Sequence, residues 1–420
     1  MARFIVFLLL SGVVIADEAT VLTLQLALES AVHDNPNLAQ IQARSEAMAE
    51  IPSQVGTLPD PMISFKALNL PVDSFDLGQE NMTQLQGGIS QVIPFPGKLA
   101  LREQAATYQA EAATYDVTEA LWRLLRDVKK TWWAAFYLDR ALEIITANQT
   151  LLRQFVEIAQ SKYEVGEGLQ QDVLLAQLEL SRLLDNELTL TGAREKTQAQ
   201  LNALLDKQAD QKINLPKYVS DRLPDLRAET ALFKQAENYR ALLASRRESV
   251  NAAQSRLDLA KKNYYPDFKL GAFYGGRGDT LSGQERSDFL TLKLSMNIPI
   301  FASSKQSKAV DQRSSELMQQ RYALQDQWNQ VRSEISTAYS IFQQTKNQVV
   351  LFKSGIIPLA RQTVASMLAG YQVNKVDFLN LVRSQITLFN YETQYWKALT
   401  EANQALAQLI AVVGEEEIYE

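Results

Sequence analysis

Cysteine is absent from the 420 residues, which excludes disulfides, thiolate metal sites, a thiol nucleophile and a lipid attached through an N-terminal cysteine. Histidine occurs once, as His33. Zinc enzymes and most acid–base enzymes working near neutral pH rely on imidazole, so this scarcity argues against catalysis. A basic surplus is missing too. The formal net charge is −6 and the isoelectric point is near 5.3, whereas nucleic acid needs a basic face to neutralise its phosphates. Beyond the N-terminus, no stretch offers the ~20 apolar residues of a spanning helix, so entry into a membrane would have to be made by strands.

The N-terminus has the pattern of a cleaved targeting segment over residues 1–16. Arg3 supplies the positive start, residues 4–15 are almost wholly apolar, and Val14-Ile15-Ala16 offers small residues for cleavage before Asp17. A membrane anchor is the alternative, although this run is shorter than a span requires.

Proline and glycine are missing from the whole interval between Gly97 and Gly166. A helix filling it would be ~100 Å long. Apolar residues recur there at helical spacing: Leu121, Leu124, Leu125 and Val128, then Trp132, Ala135 and Phe136. A second unbroken run covers residues 302–354 and continues past Gly355 and Pro358 to Gly370. Shorter helical runs are expected at about 22–55, 169–205, 226–264 and 377–413. Helices this long are stable only when packed along their length, and the many alanines, such as Ala105, Ala106, Ala112 and Ala113, allow close approach.

Two regions change to a period of two. Leu85, Gly87 and Ile89 alternate with Gln84, Gln86, Gly88 and Ser90; Leu290, Leu292, Leu294, Met296 and Ile298 alternate with Thr291, Lys293, Ser295 and Asn297. Partner strands are expected at 62–70 and 268–274, with turn-forming loops at 71–80 and 275–286, giving hairpins over about 61–95 and 267–300. Amphipathic strands of about ten residues fit a membrane barrel with a wet lumen. A soluble two-layer sheet would show the same alternation. Four strands cannot enclose a lumen, so the barrel requires several subunits to pool them. Phe65, Phe268, Phe273 and Tyr274 are candidates for the membrane interface.

The halves repeat at a shift of roughly 205–208 residues. Pro59-Asp60 matches Pro266-Asp267, Ile93-Pro94 matches Ile298-Pro299, and Tyr163-x-Val165 leading to Gln177 matches Tyr371-x-Val373 leading to Gln385. The expected organisation is a first repeat over 17–206, a linker over 207–225, a second repeat over 226–413 and an acidic tail over 414–420.

Leu22-Thr-Leu-Gln-Leu-Ala-Leu-Glu-Ser-Ala, followed by Asn35-Pro-Asn-Leu38, resembles the opening of the TolC-like outer-membrane efflux proteins. Tyr163-Glu-Val-Gly166, leading through Asp172-Val-Leu to Ala176-Gln177, is similar to that family's tip turn, repeated from Tyr371 to Gln385. Ser90-Gln-Val-Ile-Pro-Phe-Pro-Gly-Lys98 looks most like the heavy-metal, cobalt–zinc–cadmium type branch. The resemblance implies a mainly α fold with a small β part. In it, long antiparallel helices form a trimeric periplasmic α-barrel, and four strands per subunit build a twelve-stranded outer-membrane β-barrel. It also implies a homotrimer in outer-membrane lipid, a periplasmic adaptor protein, and an inner-membrane pump, commonly of the resistance-nodulation-division class. Neither cofactor nor bound metal is expected, and no nucleic acid.

The resemblance further places a gate where the helix pairs turn, at residues 165–169 and 373–377. Glu167, Asp172 and Asp377 are its candidate acids, each present three times around the axis, where like charges select by sign and repel one another. Asn380 and Arg383 stand where family members commonly have aspartate, a departure from an all-acidic entrance. Arg383 would pair with an acid such as Asp172 and latch the closed state. Gly166, Gly168, Asn374 and Lys375 are the candidate adaptor-docking positions. For each charge the plain alternative is a solvated helix end. Three functions remain open: an efflux duct, the duct of a type I protein-secretion system, and a periplasmic coiled-coil scaffold or adaptor without a pore.

Overall fold

The structure is a computed structural model and describes residues 21–419, so the expected signal segment 1–16 and Asp17 lie outside the described residues. Helices α1 (Leu24–Asp34), α2 (Pro36–Ala49) and α3 (Ile51–Gly56) lead into strand β1 (Met62–Leu68). Strand β2 (Gln84–Ile93) returns and runs into α4 (Lys98–Glu164), whose 67 residues span about 100 Å. Helix α5 (Gln170–Leu204) folds back along it. The second half repeats the order with α6 (Glu229–Tyr239), α7 (Ala241–Lys262), β3 (Phe268–Gly276), β4 (Phe289–Met296) and α8 (Gln306–Leu351). A π-helical turn, Phe352–Ile356, joins α8 to α9 (Ile357–Gln372), and α10 (Phe378–Val413) returns. Among the described residues no helix is long and apolar enough to cross a membrane.

Two expected helices are broken by their own side chains. The run over 22–55 turns at Asn35, whose amide accepts from Leu38 N at 3.0 Å and donates to Leu204 O at 3.1 Å, while Pro36 opens α2. The run over 226–264 turns at Arg240, whose guanidinium donates to Ala411 O and, at 2.9 Å, to Glu119 Oε1. Leu204 and Ala411 lie in the last turns of the returning helices α5 and α10, so the same junction is capped by an amide in one half and a guanidinium in the other. Strand β1 stops at Leu68 because Asn69 takes a positive φ of 52°. Strand β4 stops at Met296 because Asn297 turns back to Asp267, its Oδ1 accepting from Asp267 N at 2.5 Å.

The strands form one antiparallel sheet in the order β1-β2-β3-β4, so β2 and β3 join the halves and β1 and β4 are edges. Each strand is continued by a helix: β1 by α3, β2 by α4, β3 by α7 and β4 by α8. Register puts Ile63 opposite Ile89, Ile89 opposite Ala272 and Ala272 opposite Leu292. That face is apolar and its large side chains are bare, from Leu270 at 46% exposed to Phe65 at 84%. Phe273 points to the other face. It lies over Gly88 and Gly271, where a Cβ would come within 2.2 and 2.7 Å of its ring, so only glycine leaves it room.

Lateral packing holds the helices. Helix α4 passes from α7, near the sheet, to α5 beyond it, and α10 lies alongside. Its buried Leu138, Ala141, Ile145, Asn148, Leu152, Phe155 and Ala159 alternate steps of three and four, a coiled-coil seam. Asn148 is the polar member, and its Oδ1 accepts from buried Gln385 Nε2 at 2.6 Å, setting the register of α10. Between sheet and tips, Trp132 stacks on Phe136 and donates its indole N–H to Leu22 O at 3.0 Å. There the chain ends of each half pair, Leu22 N with Asn214 O and Arg227 N with Ile418 O. The segment between the halves is strapped down by Lys346 on Asp225 and Lys353 on Asp221.

Removing one partner of a buried pair strands the other. Arg240→Ala leaves Glu119, 4% exposed, to Arg123 alone, and is expected to cost about 3 kcal/mol. Asn35→Ala should cost about 1 kcal/mol. Denaturant midpoints of the purified protein measure both.

Candidate functional site at the helical tips

The α4–α5 and α9–α10 turns are built alike. Helix α4 ends with a left-handed residue, Gly166 (φ 75°), and α9 ends with Asn374 (φ 56°). Reversal at a helix C-terminus asks for glycine or asparagine at this position. Glu167 N and Gly168 N both donate to Lys162 O, at 2.8 and 2.9 Å, and Lys375 N donates to Gly370 O at 2.9 Å. The turns place their bulk in opposite ways. A Cβ on Gly168 would sit 2.9 Å from Lys162 Cβ, whereas in the second turn Gly370 makes room for Val376, at 2.5 Å from its would-be Cβ. One of the two contacting positions is glycine each time, but not the same one.

Lysine at 162, where the second half has glycine, ties the turns together. Its ammonium donates to Tyr371 O at 2.9 Å and to Asn374 Oδ1, and sits 4.7 Å over the Tyr371 ring. Tyr371 is 5% exposed, packs 5.1 Å from Phe378, and leaves its buried hydroxyl without a hydrogen-bond partner. Burial, with the charge of Asp172 added, pushes that hydroxyl's pKa up. Asp172 is in turn held above the usual carboxylate range, first by its own desolvation and then by the charge of Asp377. The geometry therefore gathers Lys162, Asp172, Tyr371, Asn374 and Asp377 from both turns. Lys162 and Tyr371 were missing from the expected site residues. The signal for Lys162 is the mismatch with its repeat mate Gly370.

The remaining candidates stay apart. Glu167, Asn380 and Arg383 are exposed, and so are Gly166 and Lys375, while Gly168 is half-buried. Within the subunit Asp172 and Arg383 form no ion pair; the charge that Asp172 feels is that of Asp377. Among the described residues no three metal-ligating side chains come together. His33 lies on the surface with Nδ1 2.5 Å from Asp34 Oδ1, a hydrogen bond that raises the imidazole pKa.

A family model for outer membrane efflux proteins matches residues 27–206 and again 232–415, once in each half of the chain. The chain belongs to the outer membrane efflux protein family. It is therefore an outer-membrane channel protein with a large periplasmic portion, not an enzyme. Among relatives, it is 21% identical over 402 residues to the cobalt-zinc-cadmium resistance protein CzcC of Cupriavidus metallidurans, covering 94% of this chain and 90% of that one. Among solved structures, the outer-membrane channel OprN superposes with a TM-score of 0.79 at 15% identity, covering 93% of this chain and 89% of OprN. The outer membrane protein VceC of Vibrio cholerae gives 0.79 at 17% identity, over 94% and 97%. At these identities the superpositions establish the fold. In this efflux-family chain the tips are the ends of the helices farthest from the sheet.

The raised Asp172 pKa gives a signed prediction. Its ionised form is penalised in the folded state, so stability falls as pH rises from the unfolded value of 3.8 through the higher folded value. Asp172→Asn should raise the melting temperature by about 1–3 °C near neutral pH. The gain should vanish below the unfolded value, and thermal melts at both pH values read it. A lower melting temperature at neutral pH would contradict the assignment.

Proposed function

We propose that this chain is the outer-membrane exit duct of a tripartite efflux system, working as a homotrimer. The observation that carries this is the sheet. It presents one bare apolar face and two unpaired edges, β1 and β4, and lipid tolerates strands only in a closed barrel. Barrels need about eight strands even to enclose packed side chains, and a duct needs more. Three subunits with four strands each would close a twelve-stranded barrel and continue it with helices on every strand.

The tips then form the periplasmic entrance. Asp172 and Asp377 from the two turns of each subunit converge there, and threefold repetition would put like charges around the axis, favouring opening unless constrained. Exposed Arg383 is free to meet an acid of a neighbouring subunit and hold the entrance shut. Gly166, Gly168, Asn374 and Lys375 shape the turn surfaces that would dock a periplasmic adaptor. Energy would come from an inner-membrane pump, of the resistance-nodulation-division class. The relationship to CzcC supports small toxic solutes, metal ions among them, as cargo.

Cell fractionation with cross-linking tests the assembly. The expected product is an outer-membrane trimer that conducts in planar bilayers; a soluble or inner-membrane monomer would sink the proposal. Arg383→Ala should raise conductance or antibiotic leakage.

A further inference from the structure

The sheet contains no aspartate or glutamate in any strand. Its charged residues are Lys66, Lys269 and Lys293, and pairing register puts all three on one face. Lys66 is level with Gln86; Lys293 is level with Gly271 and, through it, Ser90; Lys269 is level with Val92 and Ser295. In antiparallel pairs directly opposite residues share a face. The face is therefore the polar one, the side from which Phe273 projects, and the Lys66 ammonium sits 5.4 Å over that ring. The ion pair nearest the sheet, Lys98 with Asp267, lies below the strands and uses none of the three.

Chance placement of three lysines among amphipathic strands would scatter some near acids. Here the acids begin only outside the strands. The loop 69–83 carries Asp73, Asp76 and Glu80, and the loop 277–288 carries Asp279, Glu285 and Asp288 against Arg277 and Arg286. The sign of charge thus changes between the wall and the outer mouth.

Levels on one face are two residues apart, about 7 Å along the strand. The three lysines therefore span roughly 20 Å: Lys293 and Lys269 stand one level, about 7 Å, apart, within the ~8 Å screening length of physiological salt, and Lys66 stands two levels, about 14 Å, from Lys293. Around a threefold axis each level becomes a ring. A low-dielectric wall outside such rings focuses their field into the lumen, and rings of lysine favour anions in pores.

We propose that the β-barrel wall of this channel is a cation-excluding, anion-favouring section, set by Lys66, Lys269 and Lys293. Cargo would cross it as an anion or an uncharged species, and a divalent metal would cross as a neutral or anionic complex rather than as the bare ion. This rests on the trimeric barrel proposed above. A cation outside the cell would meet an attractive mouth and a repulsive wall behind it, which opposes return.

The absence of cysteine supplies a direct test, since an introduced thiol is the only one. Thr291→Cys puts it on the polar face two positions from Lys293, and Leu292→Cys puts it on the apolar face. The full-length protein in lipid vesicles is treated with an anionic and a cationic methanethiosulfonate, and the ratio of rates is normalised to the ratio for a free thiol. Lysines near the thiol accelerate both reagents by favouring thiolate, and the ratio cancels that effect.

The anionic reagent is expected to be favoured at Thr291→Cys. Changing all three lysines to glutamine should reduce the ratio by about tenfold, the effect of a potential near one kT acting in opposite senses on the two reagents. Leu292→Cys should react with neither. A cationic preference in the native-lysine background overturns the proposal, and that arm stands even if the triple variant fails to assemble. A ratio unchanged by the triple substitution overturns it as well. Ready reaction at Leu292→Cys with none at Thr291→Cys would instead overturn the barrel itself.

Discussion

Backbone hydrogen bonding at the edges of the sheet governs the rest of this molecule. Strands β1 and β4 each present a row of unpaired N–H and C=O groups, and hydrocarbon offers these no partner. The sheet also presents a bare apolar face whose exposure in water is unfavourable by roughly 25 cal/mol per Å². Both conditions are relieved together when copies of the chain join edge to edge within a membrane. A helix continues every strand, so closing the barrel also fixes where each helix starts around the axis. The helical part inherits its symmetry from a requirement of the strands.

What keeps helices of this length from bending away is contact along their sides. Helix α4 lies against α7 near the sheet and α5 beyond it, with α10 spanning the middle. Its three-and-four seam is interrupted by Asn148, whose bond to Gln385 permits one sliding position. Trp132 and the paired chain ends fasten the middle of the subunit. The tips hold a partly desolvated carboxylate, that of Asp172, and an unpartnered tyrosine hydroxyl. Structure that stores such unfavourable terms is suited to movement.

Much of this architecture is legible in the sequence because it depends on residues that are missing. The interval without proline or glycine became α4 almost to the residue, and alternation located the strands. What was not legible depends on partners distant in sequence. Nothing local in the run over 226–264 marks Arg240 as a break; the break exists because Glu119 and Ala411 receive its guanidinium. Phe273 reads as one more aromatic residue of a strand, and its direction follows from the glycines it covers on two strands. At the tips, the motif revealed the turns and their acids. The link from Lys162 to Tyr371 joins positions 209 residues apart, and the repeat itself hides it because one of two matching sites is lysine and the other glycine.

The π-helical turn at Phe352–Ile356 has a consequence for phase. On α8 the buried residues Val331, Ile335, Ala338, Phe342, Thr345 and Val349 keep to steps of three and four, as does the next step to Phe352. The step from there to Ile357 is five. One surplus residue in an ordinary helix would rotate everything after it by about 100° and swing the apolar stripe of α9 away from α10. The wider turn absorbs that residue in place, in a stretch where Gly355 leaves space. The helix thereby corrects its own reading frame, and the seam arrives at the tip still facing its partner.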